Sequence, residues 1–480
     1  MSRMLDVRVV QDPSAGFSFL PPPTLTVPDL TLTLDVLAED RIRARMSGPA
    51  LPVLPGGEHT AVLDATPTGV RQAVASLILL WKSLLVDYEP PTDPGAPRSA
   101  RSRPYAANAD LGALPQGPLR EAVAGLARRG AYVLFDVLLG GRDEAVTSFR
   151  GHLREVLSRQ DLRIRCDSSD LFLPWPLLCL SAGAAPPVGP GRAGGGSDDG
   201  AVAGVPPAAA LASTSTLASR PAPGVVGHLV SAPPAADPLD ALFERFLGHR
   251  HQLEHTGDPY PCIAPRSPAP GQRPGVSLNR DDRVGYRTRA DDVALALQKG
   301  TRFTERIRYT ELVTALDAPE WDEELTYFWC HGAFAPGGQD LPHLAIRLSD
   351  DTLIDGHTIR TYRKPYQRRG FHPFVLLNAC HGAAAGEGNR SFLSRVFVES
   401  GAQGVLGPLI EMPQAFAAEY ALEFVVRYLT GGPRATAGRI TLDLARHFAR
   451  TYRSPFGMAY ALHSGMDTHL DTDEGTPHAR

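Results

Sequence analysis

The chain has few cysteines, little net charge and no long apolar run, and each shortage excludes a class of protein. Its 480 residues include five cysteines, an odd number without the spacing of a disulfide framework, which favours a reducing cytoplasm. The net charge is -4 with no basic stripe, so we expect no nucleic-acid partner. No run approaches a membrane span, so we expect no membrane partner. Residues 1–7 lack the apolar core of a signal peptide.

Strand and helix patterns alternate along most of the chain. Residues 30–36 and 41–46 alternate apolar and polar side chains and predict a small N-terminal β-rich module. This module either packs on the main domain or serves as a sensor or docking module. Helical spacing then predicts helices at 68–88, 120–139 and 143–159. With the later strands and helices, these patterns predict an α/β fold, a doubly wound α/β/α sandwich with a mostly parallel sheet.

One long stretch interrupts these patterns. Residues 183–236 are dominated by Ala, Gly, Pro and Ser, a composition that cannot bury enough apolar surface to offset its ordering entropy. We predict a disordered insertion, which is either a tolerated surface loop or a cleavable linker. The predicted divisions are a β-rich module at 1–60, helices and the start of the main domain at 61–182, the insertion at 183–236, the catalytic part at 237–466 and a tail at 467–480.

Two buried strands are predicted to end in residues suited to nucleophilic catalysis. The apolar run 374–377 ends just before Cys380, and the aromatic-rich run 325–329 ends just before His331. Such runs are typical of buried parallel strands, and the carboxyl edge of a parallel sheet is where ligands bind and chemistry occurs. If the two strands are neighbours, Cys380 and His331 lie side by side. Their spacing of about 50 residues is that of caspase-type enzymes.

The motifs, taken in order, resemble those of the CHAT domain family, caspase-like cysteine proteases distantly related to separase. Beyond the two strand ends, the resemblance includes 173–178, where Pro176 replaces the usual glutamate of the family, followed by 246–251 and 401–407. It covers residues 119–464. It implies a caspase-like fold and a peptidase that needs no cofactor. No tetratricopeptide period is present, so any repeat-type sensor would be a separate protein.

The predicted chemistry uses a thiol and an imidazole. Cys380 is the predicted nucleophile, and His331 is the general base that then protonates the leaving amine. By the resemblance, the backbone N–H groups of Gly332 and Cys380 bind the oxyanion. Gly332 has no Cβ, which lets the substrate carbonyl approach closely. Peptide hydrolysis then proceeds through a thioester intermediate.

Three other interpretations concern the same residues. A free cysteine is commonly a buried, inert thiol, but the pairing with His331 and the ordered motifs favour a reactive Cys380. His381 is an immediate neighbour and is badly placed for a proton relay, so we expect it to shape the loop. Two Cys-His pairs are present, at 330–331 and 380–381. Zinc sites prefer spaced ligands, because adjacent residues diverge from one ion, and we therefore expect no metal.

The substrate pocket is less defined by the sequence. Related metacaspases resemble one another in carrying Asp two residues before the nucleophile, where it pairs with a basic residue of the substrate. Here that position is Asn378, which carries no charge. Glu411 either lines the same pocket or is an ordinary loop carboxylate. The absence of an acid within the Cys380 motif favours a neutral residue such as leucine before the cut bond.

Two functions of different classes follow. The first is a regulated cytosolic cysteine endopeptidase, which by the resemblance would cleave partner proteins in bacterial defence or cell death. Its expected partners are a protein substrate and a protein activator or sensor. The second is a catalytically silent scaffold that binds partners. A silent member is expected to lose the cysteine or the histidine, and Cys380 and His331 are both present.

Overall fold

The computed structural model describes most of the predicted sandwich. Its described residues are 27–37, 40–53, 59–91, 102–180, 238–257, 272–335, 343–363, 371–379 and 392–470. The predicted insertion at 183–236, Cys380 and His381 lie outside these ranges.

The described strands form two sheets, one of eleven strands and one of three. The strands are β1 (Leu30–Leu37), β2 (Arg41–Ser47), β3 (His59–Leu63), β4 (Arg163–Asp167), β5 (Gln252–Thr256), β6 (Gly275–Arg280), β7 (Arg302–Arg306), β8 (Leu325–Trp329), β9 (His331–Ala335), β10 (His343–Arg347), β11 (Leu353–Ile354), β12 (Phe374–Asn378), β13 (Gly404–Pro408) and β14 (Tyr460–His463).

The large sheet has the order β3-β2-β1-β4-β5-β14-β13-β12-β8-β6-β7. Seven of its ten neighbouring pairs are parallel, which confirms the predicted mostly parallel sheet. β14 is antiparallel to β13, so the strands from β13 to β7 run opposite to β14, β5, β4 and β1. The predicted N-terminal strands are present and continue this sheet, because β1 pairs with β4.

Twelve α-helices accompany the strands within the described ranges. They are α1 (Pro67–Trp81), α2 (Pro104–Ala107), α3 (Gln116–Tyr132), α4 (Glu144–Ser158), α5 (Pro238–Phe243), α6 (Leu247–Arg250), α7 (Ala290–Gln298), α8 (Tyr309–Asp317), α9 (Gly356–Tyr362), α10 (Phe392–Glu399), α11 (Gln414–Thr430) and α12 (Ala437–Thr451). Side-chain caps begin three of the long helices, with Thr66, Asp143 and Thr436 accepting hydrogen bonds from first-turn N–H groups.

Helices cover both faces of the sheet. Along β12, Phe374 and Leu376 belong to one apolar core, and Val375 and Leu377 belong to a second, as the alternation of a strand requires. Phe374 packs on α11 through Phe424, with ring centroids 5.7 Å apart. The second core contains α8, α9 and α10 side chains. The predicted α/β/α sandwich is therefore confirmed.

One helix qualifies the expectation about membranes. α1 and the turn that follows it, Pro67–Val86, are long and apolar enough to span a membrane by length and composition alone. The expectation that no segment approaches span length is therefore wrong. The side chains of Val70, Leu77 and Trp81 are fully buried in the first apolar core. A helix that packs in the core of a protein can have the same length and apolar composition as a membrane span.

Candidate active site

The strands that lead to the predicted catalytic residues are neighbours. β8 and β12 are parallel and pair over their whole length, from Leu325 opposite Phe374 to Trp329 opposite Asn378. The predicted adjacency of the two strands is confirmed. His331 follows Trp329 by two residues, and Cys380 follows Asn378 by two. The contact between Cys380 and His331 stays a prediction, because Cys380 lies outside the described residues.

His331 begins a second sheet at this edge of the large one. It is the first residue of β9 and pairs with Arg347 of β10, and the next pair joins Gly332 to Ile346. The preceding Cys330 is buried, and His331 is partly exposed. β10 and β11 form a hairpin, which the alternating runs 344–348 and 352–354 around a polar turn predict, whereas the sequence did not predict β9. The roles of His331 and Gly332 stay predictions, and the structure adds that both lie on a strand of the small sheet.

An arginine pairs with two carboxylates at the edge of the sheet where β8 leads to His331. Asp281 directly follows β6, and its N–H donates to the Trp329 carbonyl at 2.9 Å. Arg283 donates through Nε and Nη2 to the two oxygens of Asp281, at 2.8 and 2.9 Å. Its Nη1 and Nη2 donate to the two oxygens of Asp351, both at 2.8 Å. We call Asp281, Arg283 and Asp351 the arginine clamp.

The clamp keeps both carboxyls ionised. Burial opposes ionisation of Asp281, but hydrogen bonds from Arg283 and the positive charges of Arg283 and His331 hold its pKa below the ordinary value. For Asp351, the Arg283 hydrogen bonds are the main cause of a lowered pKa, and the charges of Arg283, Arg347 and His331 add to it. His331 therefore lies within electrostatic range of two carboxylates, and Arg283 balances one of their two negative charges.

Asn378 is enclosed in a polar network beneath the end of β12. Its side chain is 5% exposed. Nδ2 donates to the Ala417 carbonyl at 2.9 Å and to the Tyr327 hydroxyl at 3.3 Å, and Oδ1 accepts from the Tyr460 hydroxyl at 2.9 Å. Burial raises the pKa of Tyr327, against a smaller opposing effect of its hydrogen bond with Asn378. The amide that was predicted to line the substrate pocket thus bonds to groups inside the protein.

Glu411 lies past the end of β13, on the same side of the sheet as the ends of β8 and β12. Its carboxylate forms an ion pair with Lys82, in the helical turn that follows α1. The side chain is 40% exposed, so water screens the pair and its contribution to stability is small. The structure does not bring Glu411 together with His331 through any contact between described residues, and its pocket role stays a prediction.

The sequence missed the arginine clamp. The available signal was the run Asp281-Asp282-Arg283 directly after β6, at the edge where parallel strands hold functional groups. Its partner Asp351 is 68 residues from Arg283, and only the fold shows this contact. Among the described residues, no group of three or more His, Cys, Asp or Glu side chains is arranged to hold a metal ion.

Comparison with solved structures gives distant similarities. A structure of the Arg-specific cysteine proteinase gingipain R aligns with a TM-score of 0.35 and 9% identity, over 46% of this chain and 56% of that chain. A chain of the Saccharomyces cerevisiae separase–securin complex aligns with a TM-score of 0.41 and 9% identity, over 92% of this chain and 30% of that chain. This chain therefore spans only part of either protein. No protein-family profile and no curated protein sequence matches it.

Proposed function

We propose that the protein is a cysteine endopeptidase of the caspase-like type, resembling the CHAT family, with Cys380 as nucleophile and His331 as general base and acid. The observation that carries this proposal is the register of β8 and β12, whose last residues Trp329 and Asn378 are paired. Two residues further along, each strand leads to one member of the pair.

The reaction would follow from these roles. The Cys380 sulfur attacks the peptide carbonyl carbon as His331 takes the thiol proton, and the N–H groups of Gly332 and Cys380 bind the oxyanion. His331 then gives the proton to the departing amine, leaving a thioester on Cys380. Water, deprotonated by His331, hydrolyses the thioester and restores the thiol.

The proposed partners are a protein substrate and a protein activator or sensor, without nucleic acid or membrane. The few, unpatterned cysteines support a place in the cytoplasm, and the resemblance supports a role in bacterial defence or cell-death signalling. Asn378 and Glu411 remain the proposed pocket residues. Two observations support a neutral residue before the cut bond: the Asn378 amide is uncharged and bonded inside the protein, and Glu411 is ion-paired with Lys82.

The test is labelling and cleavage with purified protein. A peptidyl acyloxymethyl ketone, which alkylates activated cysteines, should label wild type, and a fluorogenic peptide library should be cleaved. Cys380→Ala should abolish both, and His331→Ala should lower cleavage by at least about 100-fold. Cys166→Ala is the matched control, because Cys166 is a buried cysteine on β4, and it should retain labelling. Cleavage by a folded Cys380→Ala protein would refute the assignment.

The alternative function is a silent scaffold that binds partners. It predicts that wild type is neither labelled nor active, even with cell extract present to supply an activator. It also predicts that Cys380→Ala leaves partner binding unchanged in a pull-down.

A further inference from the structure

We infer that Arg283 is a positioning residue for His331, because it fastens the small sheet that begins with His331 to the end of β6. The inference rests on the proposed peptidase function, since positioning is defined by the reaction. It concerns residues that neither the motifs nor the resemblance single out.

The small sheet shares no strand with the large one. Among the described strands, β9, β10 and β11 pair only with one another, and the short connection through Cys330 joins β9 to β8. Apolar side chains of the hairpin, including Leu344, Ile346 and Ile354, are buried in the second core. Apolar packing resists separation but is non-directional. Directed contacts are therefore needed to fix where His331 lies relative to the large sheet.

The turn between β10 and β11 supplies those contacts. On one side, Arg283 holds Asp351 with two hydrogen bonds of 2.8 Å, and the Asp282 N–H donates to Ser349 Oγ at 3.0 Å. On the other side, the Tyr309 N–H at the start of α8 donates to Asp350 Oδ2 at 2.8 Å. The turn is thus held from both the β6 loop and α8.

Arg283 is suited to this task by geometry as well as charge. Its planar guanidinium meets two carboxylates with two hydrogen bonds each, which fixes direction as well as distance. One of these carboxylates, that of Asp281, is 0% exposed, and the backbone N–H of the same residue donates to the carbonyl of Trp329, the last residue of β8. The clamp therefore links the two ends of the segment around His331: the end of β8 on one side and the hairpin turn on the other.

The experiment compares Arg283→Met with Arg302→Met. Arg302 is the matched control, because its side chain is 46% exposed, close to the 49% of Arg283, and it also pairs with a carboxylate, that of Asp322. Arg302 begins β7 and therefore lies at the opposite edge of the sheet from Arg283. Arg283→Met should lower kcat by about 10- to 100-fold with little change in KM, because a displaced base slows chemistry rather than binding. Arg302→Met should leave both constants within about twofold of wild type. Arg283→Lys, which keeps the charge without the fork, should recover only part of kcat.

A second variant avoids the buried carboxylate. Asp351→Asn changes an exposed residue, so the protein should fold, and it should lower kcat in the same direction. The double variant Asp351→Asn/Arg283→Met should be no slower than Arg283→Met alone, since both remove one interaction. Unchanged kcat in Arg283→Met, or additive losses in the double variant, would overturn the inference.

Hydrogen exchange separates this inference from the proposed function. Amides of β9 and β10 should exchange faster in Arg283→Met than in wild type or Arg302→Met. If wild type has no peptidase activity, the proposed function fails and faster exchange still supports the clamp. If wild type is active but exchange and kcat are unchanged in Arg283→Met, the clamp fails and the function stands.

Discussion

The Tyr460 hydroxyl donates a 2.9 Å hydrogen bond to Asn378 Oδ1, two residues before the predicted nucleophile. Tyr460 belongs to β14, the strand at which the direction of the sheet reverses, and its ring stacks on Tyr420 of α11 with centroids 3.7 Å apart. The opposite side of the Asn378 amide donates to Ala417, also in α11. The end of β12 is therefore held by an amide that is both donor and acceptor.

Asn378→Asp should destabilise the fold. A carboxylate cannot donate to the Ala417 carbonyl, and it would be a buried charge with no cationic partner among the contacts that the amide makes. We expect a loss of about 2–4 kcal/mol in the free energy of unfolding at pH 7, measured by urea denaturation. The loss should shrink at lower pH, where the carboxyl is neutral. Tyr460→Phe, which removes only one donor, should cost about 1 kcal/mol. Equal stability of Asn378→Asp and wild type would contradict the network.

The protein should lose stability as the pH falls below 6.5. Burial is the main cause that lowers the pKa of His249 and His251 from 6.5 to about 3, and it also lowers that of His255. The unfolded chain takes up these protons below pH 6.5 while the native state does not. Unfolding thus becomes easier by up to about 1.4 kcal/mol per pH unit for each histidine.

Urea denaturation between pH 8 and 5 measures this effect. Above pH 7, these histidines should give the free energy of unfolding no pH dependence. Below pH 6.5, the free energy of unfolding should decline. His251→Gln is the informative variant, because glutamine retains a donor for the Leu157 carbonyl, which lies 3.1 Å from His251 Nε2. It should reduce the slope below pH 6.5. An unchanged slope would mean that His251 becomes protonated without unfolding.

The insertion at 183–236 should be replaceable. The chain on its two sides is joined directly: the Leu180 N–H donates to the Arg245 carbonyl and the Leu247 N–H to the Leu178 carbonyl, both at 2.9 Å. A Gly-Ser linker of about 12 residues can reach roughly 40 Å, and Tm should change by less than about 2 °C. The measurement is a thermal melt of both forms. A fall of many degrees would show that the insertion packs on the fold.

The sequence predicted strands with a continuous apolar or an alternating pattern, and it missed polar strands with neither pattern, such as β5 and β7. β8, β12 and β13 are buried on both faces and have continuous apolar patterns. β5 (Gln-Leu-Glu-His-Thr) is a central strand, but Arg165 pairs with Glu254 and Phe172 packs on His255, so polar residues are tolerated there. β7 lies at the edge of the sheet and is charged, as exposed edges commonly are.

Some features of the candidate site could be predicted from local sequence, and others depend on contacts between distant residues. Strand-end motifs, which are local, led to His331 and to the adjacency of β8 and β12. The arginine clamp joins residues far apart in sequence, and a solvated surface arginine has the same local pattern. The environment of Asn378 was also beyond the sequence, since its partners Tyr460 and Ala417 come from β14 and α11, each reached by a separate crossover of the chain.

The last prediction concerns the residue before the cut bond. An arginine or lysine entering a partly desolvated pocket needs an opposing carboxylate, because an unpaired buried charge is costly. Asn378 cannot provide one, and Glu411 already pairs with Lys82. We therefore expect a fluorogenic library varied at this position to show preference for a neutral residue such as leucine. Glu411→Gln should leave that preference unchanged. Lys82→Met is the matched control, because it removes the other partner of the same ion pair.

Each other outcome identifies a different pocket. If arginine or lysine is preferred and Glu411→Gln removes the preference, Glu411 is the pocket carboxylate. In that case Lys82→Met should strengthen cleavage after basic residues, because it frees the carboxylate from its ion pair. If the preference for arginine survives Glu411→Gln, neither Asn378 nor Glu411 sets specificity. The acidic groups of the β6 loop and the hairpin turn would then be the next to test, beginning with Asp282 and Asp350, which are outside the clamp.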